Sequence, residues 1–343
     1  MDDTIVVVVD DGSAQGKCVW VDPDTGTINT HVIQSMIDDE AGSDIAGDYL
    51  DGSYAIGDQE YYVSQTLRNP ITTKRADYQI SNENRVLIHE VLRSAGFGGK
   101  NVKVISTLPI GQFFQGDGKR TNLDLVTQKK ENIMGAIRGM TKAETANIRE
   151  CSVSPESIPA WFDMAIDNQG EWIDDLVDSN SVLIVDIGGT TTDMSIINGV
   201  GAIDRQHTIN LGVFDIVNEL STKLIEKRKA KTLPRASVDT VLRTGTYRDF
   251  NCLDMIKASS QKVMRRILNQ VNTYEADEMA FDHILYVGGG AALIGEDLAE
   301  AYGNRARSHI PDNPDLAIAR GLIKSELARQ LPEDDELEEA AEG

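Results

Sequence analysis

The chain reads as an α/β protein of two similar domains that share a cleft, and three features predict this. First, the run "VLIVDIGGTTTDMSII" at 182–197 joins a β-branched core strand to a polar, glycine-bearing tip and a second apolar strand. Second, the chain opens on the same pattern: an apolar run at 5–9, then Asp10, the tip "DGSAQG" and the apolar stretch 18–21. Laid over each other without gaps, Asp10 falls on Asp186, Gly12 on Gly188 and Lys17 on Asp193. A pattern repeated about half a chain apart marks a duplicated unit. Third, the strand-like run 281–287 passes through Gly288-Gly289-Gly290 into the helical sequence "AALIGEDLAEAY". Strand, glycine turn and helix N-terminus suit an anionic ligand.

The elements follow in order. The turn "DPDTGT" at 22–27 extends the first hairpin into a third strand, and 42–63 reads as short strands and turns of a small subdomain. Val86, Leu87, Val91 and Leu92 give residues 83–95 a helical spacing, which Gly96 ends. A strand at 102–105 opens into "STLPIGQFF", 124–138 is a charged amphipathic helix, and a strand at 148–153 runs into "SPESIPA". A further helix starts at 161–165, and the polar segment 174–181 is the expected boundary between units 1–173 and 174–311. Phe214, Val217, Leu220 and Leu224 predict a helix over 213–227, 231–246 reads as polar and irregular, and 253–274 as a long amphipathic helix. A last helix spans 315–331. Residues 332–343 carry seven acids and no base, the composition of a disordered, solvated tail.

Each tip has a chemical logic. A carboxylate at the end of a core strand is costly unless paired or solvated, so Asp10 and Asp186 call for a cation. Glycines at the turn expose backbone N–H groups and the threonines add hydroxyls, which together suit a polyphosphate and its metal. A glycine hairpin with a solvated Asp is the plain alternative for either copy alone. The first tip imitates a P-loop, but three residues separate Gly12 from Gly16, Cys18 replaces the Ser or Thr, and a strand follows rather than a helix.

In the order "VDDGS…K", "STLP", "PESIPA", "DIGGTTTD" and "VGGGAAL", the chain resembles the actin superfamily, and within it the plasmid-segregation ParM (StbA) family, over residues 5–327. "PESIPA" points most narrowly to that branch. The resemblance implies a duplicated, ribonuclease H-like fold with a nucleotide cleft between the domains and a C-terminal helix, within 312–331, returning to the first. It implies an ATPase that binds ATP, with GTP left open, and Mg²⁺. Asp11, Gly12, Ser13, Gln15, Gly188, Gly189, Thr190 and Thr191 would then cradle the phosphates, and Lys17 would offset their charge. Asp10 and Asp186 would hold Mg²⁺ through its retained waters. Glu156 would orient the attacking water, the plain alternative being a cap on the helix that follows it. Gly288, Gly289 and Gly290 would lie against ribose and base, with Gly212 nearby. Ala14 removes a hydroxyl that relatives often carry. The implied partners are further copies of the chain in a filament and a basic DNA-binding adaptor of the ParR type on a centromere-like plasmid site.

Composition bounds these readings. The 343 residues suffice for two cores. The net charge of −22 argues against direct nucleic-acid binding, which needs a basic face. Cys18, Cys151 and Cys252 are scattered, as expected in a reducing bacterial cytoplasm. The apolar run 6–9 is too short for a membrane span or signal core. Three rival functions share the cleft. A metabolite kinase would need an acceptor site that no residue set marks, and a chaperone ATPase would need a downstream β-rich domain. A scaffold that binds but hardly hydrolyses ATP would have little use for Glu156 and Asp186.

Overall fold

Four consecutive valines make the first strand a core element, because residues on both of its faces can be buried. In the computed structural model, which describes residues 4–67, 69–115, 120–173, 181–198, 202–276 and 281–331, Val7, Val8 and Val9 are wholly buried. Their strand β1 (Ile5–Asp11) is central to a five-stranded sheet. It pairs antiparallel with β2 (Gln15–Val21), which pairs with β3 (Ile28–Gln34). A small antiparallel sheet of β4 (Ile37–Asp38), β5 (Ser53–Ile56), β6 (Gln59–Val63) and, later in the chain, β8 (Arg138–Gly139) forms the expected subdomain. Helix α1 (Asn82–Leu92) starts on Ser81, whose side chain accepts from Asn84 N–H at 3.2 Å, and its chain turns at Gly96 with φ +92°. β7 (Asn101–Leu108) lies parallel to β1 and leads through α2 (Ile110–Phe113) to α3 (Leu123–Ile133), β8 (Arg138–Gly139) and β9 (Asn147–Pro155). The sheet order is β3-β2-β1-β7-β9.

The second sheet repeats this plan. It contains β10 (Ser181–Ile187), β11 (Thr192–Asn198), β12 (Ala202–Ile209), β15 (His283–Val287) and β16 (Arg307–His309). Its order is β12-β11-β10-β15-β16, with the same succession of antiparallel and parallel pairs. Helices α5 (Val213–Arg228), α6 (Arg235–Thr244) and α7 (Leu253–Ala276) and the two-stranded ribbon β13 (Thr246–Tyr247)–β14 (Phe250–Asn251) lie between β12 and β15. α8 (Ala291–Tyr302) lies between β15 and β16.

Two helices cross at the joint. α4 (Pro159–Ala165) leaves the first sheet and places Trp161 and Ala165 against Val182, Ile184 and Leu285 of the second. α9 (Ala317–Ala328) returns, packing Ala319, Leu322 and Ile323 on Val8, Val19 and Ile105. They cross so closely that a Cβ on Gly321 would lie 1.8 Å from the Pro159 carbonyl oxygen. Asp163 of α4 pairs with Arg320 at 2.6 Å and Lys324 at 3.0 Å.

Two elements differ from their sequence reading. The stretch read as irregular contains α6, a ten-residue helix that buries only Val238 and Val241, with Gly245 at φ +70° ending it. The helix expected to reach residue 138 stops at Ile133, and the chain after it is held by Arg85, which donates to the Asn132 side-chain oxygen at 3.1 Å and the Ala136 carbonyl at 3.0 Å. Residues 174–180 of the expected boundary and the whole acidic tail lie outside the described residues. Among the described residues no helix is long and apolar enough to cross a membrane.

Candidate nucleotide site

Each hairpin delivers an acid to its tip. In the first, Asp10 and Lys17 are register partners across β1 and β2, and Lys17 Nζ donates to Asp10 Oδ2 at 2.8 Å. Burial alone would lower the Lys17 pKa, but Asp10, with Asp186 behind it, holds it above the usual value. The tip is tied from outside: Ser35 donates to the Gly12 carbonyl at 2.8 Å and Thr73 to the Ser13 carbonyl at 2.6 Å. With the carbonyls drawn outward, the N–H groups of Gly12, Ser13 and Ala14 find no protein acceptor among the described residues. A row of unspent N–H groups is a place for an anion.

The second tip is built the same way by other means. Val213 and Phe214, in the first turn of α5, donate to the carbonyls of Gly188 and Gly189 at 3.0 and 2.9 Å. Gly189, Thr190 and Thr191 keep their N–H groups unspent among the described residues. The register partner of Asp186 is Asp193, a second carboxylate. Thr191 and Thr208 donate to Asp193 at 3.0 and 2.5 Å. Burial, reinforced by Asp193 and Asp10, pushes the Asp186 pKa up to about 7. The tips nearly touch: a Cβ on Gly189 would lie 2.9 Å from Ala14 Cβ.

Glu156 enters from the end of β9. Its N–H donates to the Leu108 carbonyl at 2.7 Å, and its own carbonyl accepts from Ile158 at 2.9 Å across Ser157. Ser157 has φ +69° and is fully buried, so this is a γ-turn of the rare positive-φ kind, a local strain that turns the chain sharply beside the cavity. No side chain caps α4, so the cap reading of Glu156 has no bond behind it. Thr107 Oγ1 lies 3.4 Å from both Glu156 Oε1 and Asp10 Oδ1. Burial first, then Asp10, Asp186 and Asp193, raise the Glu156 pKa well above the usual carboxylate range.

A cavity of about 1130 Å³ runs between the domains and is lined by Asp10, Gly12, Ser13, Gln15, Lys17, Glu156, Asp186, Gly188, Gly189, Thr190, Thr191, Gly288 and Gly289. Three candidates do not reach it. Asp11 is buried behind the first tip, where Ser106, Asn84 and Lys129 each bond it at 2.6 Å, so it knits β1 to β7, α1 and α3. Gly212 lies under the second tip, since a Cβ there would meet the Gly188 carbonyl oxygen at 2.5 Å. Gly290 lets α8 approach β10, its absent Cβ falling 2.1 Å from Ile187 Cγ2. Gly288, at φ +83°, admits Asp186 Oδ1 where a Cβ would be 2.4 Å away.

The far end of the cavity went unread in the sequence. Arg235, Asp239, Thr240 and Arg243 of α6 line it, with the Arg235 guanidinium 3.9 Å above the Phe214 ring. The spacing of Val238 and Val241 after Pro234 was the available signal. Asp193 was likewise read only as the counterpart of Lys17. Among the described residues no group of three or more His, Cys, Asp or Glu side chains is spaced as a metal cage. Among the described residues, buried Asp10, Asp186 and Asp193 outnumber Lys17 at the tips, and this fits a cation held largely through its waters.

The duplicated sheets with two tips across one cleft define an actin-like protein. Residues 5–167 match the family model for the N-terminal part of plasmid segregation protein ParM, and 184–300 match that for the C-terminal part of the archaeal MreB-like actin homologue. The chain is thus actin-like, resembling ParM/StbA over its first half and the archaeal MreB-like homologue over its second. A search of curated proteins finds no match. Among solved structures it is similar to a 15-stranded ParM filament from Clostridium botulinum (16% identity, TM-score 0.70, 96% of this chain and 99% of that one). It is similar also to the archaeal actin homologue Ta0583 with ADP (19%, 0.71, 96% and 100%) and to Bacillus thuringiensis ParM with ATP (15%, 0.64, 96% and 100%).

Proposed function

We propose that the chain is an ATPase that polymerises with Mg-ATP, loosens on hydrolysis and drives plasmid DNA apart in the bacterial cytoplasm. The observation that carries this is the pair of facing tips, each with three adjacent N–H groups unspent among the described residues and an acid at its base. Phosphates bridging the tips would hold the two domains closed, and loss of the γ-phosphate would remove contacts favouring that state. Asp10 and Asp186 would hold Mg²⁺, which supplies charge neutralisation at the phosphates. Glu156 would orient the attacking water and accept its proton, a role its raised proton affinity suits. The net charge of −22 supports a division of labour in which a basic, ParR-type adaptor binds the centromere-like DNA.

The test is to follow light scattering and phosphate release after adding Mg-ATP, Mg-GTP or a non-hydrolysable analogue at micromolar protein, with no metabolite present. ATP should drive assembly, and phosphate release should precede its decay. Protein that stays in the supernatant with every nucleotide and at every salt concentration would mean a soluble actin-fold kinase instead.

A further inference from the structure

An acidic chain rarely leaves cations in excess on one face, yet this one does. Between Glu219 and Phe250 it carries eight Lys and Arg against four acids. Lys227, Arg228, Lys229, Lys231 and Arg248 are exposed, and among the described residues no carboxylate pairs with any of them. Several are held in place. The Arg228 and Arg248 guanidiniums both lie over the Tyr247 ring, at 5.5 and 5.7 Å, and Lys227 sits 5.0 Å over Phe250. Lys229 and Arg248 adopt φ +50° and +54°, so the end of α5 and the β13–β14 turn spend backbone strain on presenting charge. Prearranged cations lose little freedom on binding.

We propose that this patch is the docking surface for the acidic segment 332–343 of a second copy of the chain, an inference that rests on the filament reading. The segment offers seven carboxylates and no competing base, which complements the patch. It follows α9, which is rooted on the first sheet, whereas the patch stands at the far end of α5 in the second domain. Twelve residues span about 40 Å at most, which sets how near a neighbour's patch must stand. Contact between two different surfaces of identical chains is heterologous, the kind that propagates an open filament. Charge attraction of this sort also explains how copies with net charge −22 can approach one another.

The experiment polymerises a mixture of ¹⁴N- and ¹⁵N-labelled protein with Mg-ATP, joins contacting carboxylates and amines with a carbodiimide, and maps the linked peptides. Links between segment 332–343 and Lys227, Lys229 or Lys231 should carry mixed isotopes. A chain ending at Leu331, and separately Lys227→Glu/Arg228→Glu, should raise the critical concentration about 5- to 10-fold in 50 mM salt, the difference fading above about 0.5 M as charges are screened. Same-isotope links only, links elsewhere, or an unchanged critical concentration while filaments still form would overturn this inference and leave the filament reading standing. A DNA fragment bound by the intact chain and lost in the double variant would overturn it too, making the patch a nucleic-acid surface. No pellet with any nucleotide ends the filament reading and this inference together.

Discussion

Asp10 and Asp186 hold the same position in two hairpins of the same topology, but the residues opposite them differ in sign. Across from Asp10, Lys17 closes an ion pair within the tip. Across from Asp186 stands Asp193, which the Thr191 and Thr208 hydroxyls relieve, while the relief on Asp186 comes through space from Lys17 of the other tip. The first tip is electrically balanced by its own chain, whereas the second holds buried carboxylates whose proton affinity is raised. Duplication placed both acids, and one substitution at a register position decided which half depends on an external cation or proton. A protein that must change state with its ligand gains from such an imbalance, because the ligand supplies what the fold lacks.

The largest expected effect breaks the balanced half. Lys17→Met leaves Asp10 buried without its partner and should lower the unfolding free energy by about 3 kcal/mol, read by urea denaturation without nucleotide. The matching change in the other half, Asp193→Asn, should stabilise the nucleotide-free protein at pH 8. Equal losses from both would erase the distinction between the tips.

A slightly smaller effect concerns chemistry. Glu156→Gln and Asp186→Asn should each slow phosphate release by about 10²-fold, which is about 2.7 kcal/mol, with melting temperatures little changed or, for Asp186→Asn above pH 7, raised. A cap at Glu156 predicts the reverse, a stability loss of about 1 kcal/mol with turnover intact.

The smallest sharpens the unbalanced half through pH. The Asp186 pKa of about 7 in the folded chain lies above the unfolded value of about 3.9. Its contribution to stability is therefore full below pH 4 and is lost as pH rises through 7. Without nucleotide, the wild type should lose about 2.6 kcal/mol relative to Asp186→Asn between pH 5 and 8, and Mg-ATP should flatten the slope. Parallel melting curves for the two proteins across that range would remove Asp186 as the titrating group.

Both hairpins were legible because a strand's period of two and a glycine tip are local patterns, and the gapless overlay of Asp10 on Asp186 and Lys17 on Asp193 is borne by the observed register. The glycine corner at Gly288 was legible for the same reason. Helix α6 was not, since ten residues with two buried apolar positions make a faint periodic signal, and its place in the cavity wall comes from packing on α5. The turn at Ser157 was equally hidden, because only the surrounding fold holds a non-glycine residue at positive φ.

Asp10 and Asp11 show where sequence stops and tertiary structure begins. They are neighbours of the same type, and strand alternation sends their side chains to opposite faces of β1. That alternation is written in the sequence. What waits on each face is not: Asp10 finds Lys17, seven residues on in the same hairpin, while Asp11 finds Lys129, 118 residues away on α3. A local partner is set by register, so the sequence alone determines it. A distant one depends on how helices pack across a sheet, and only the folded chain decides whether a carboxylate faces a ligand or a buried lysine.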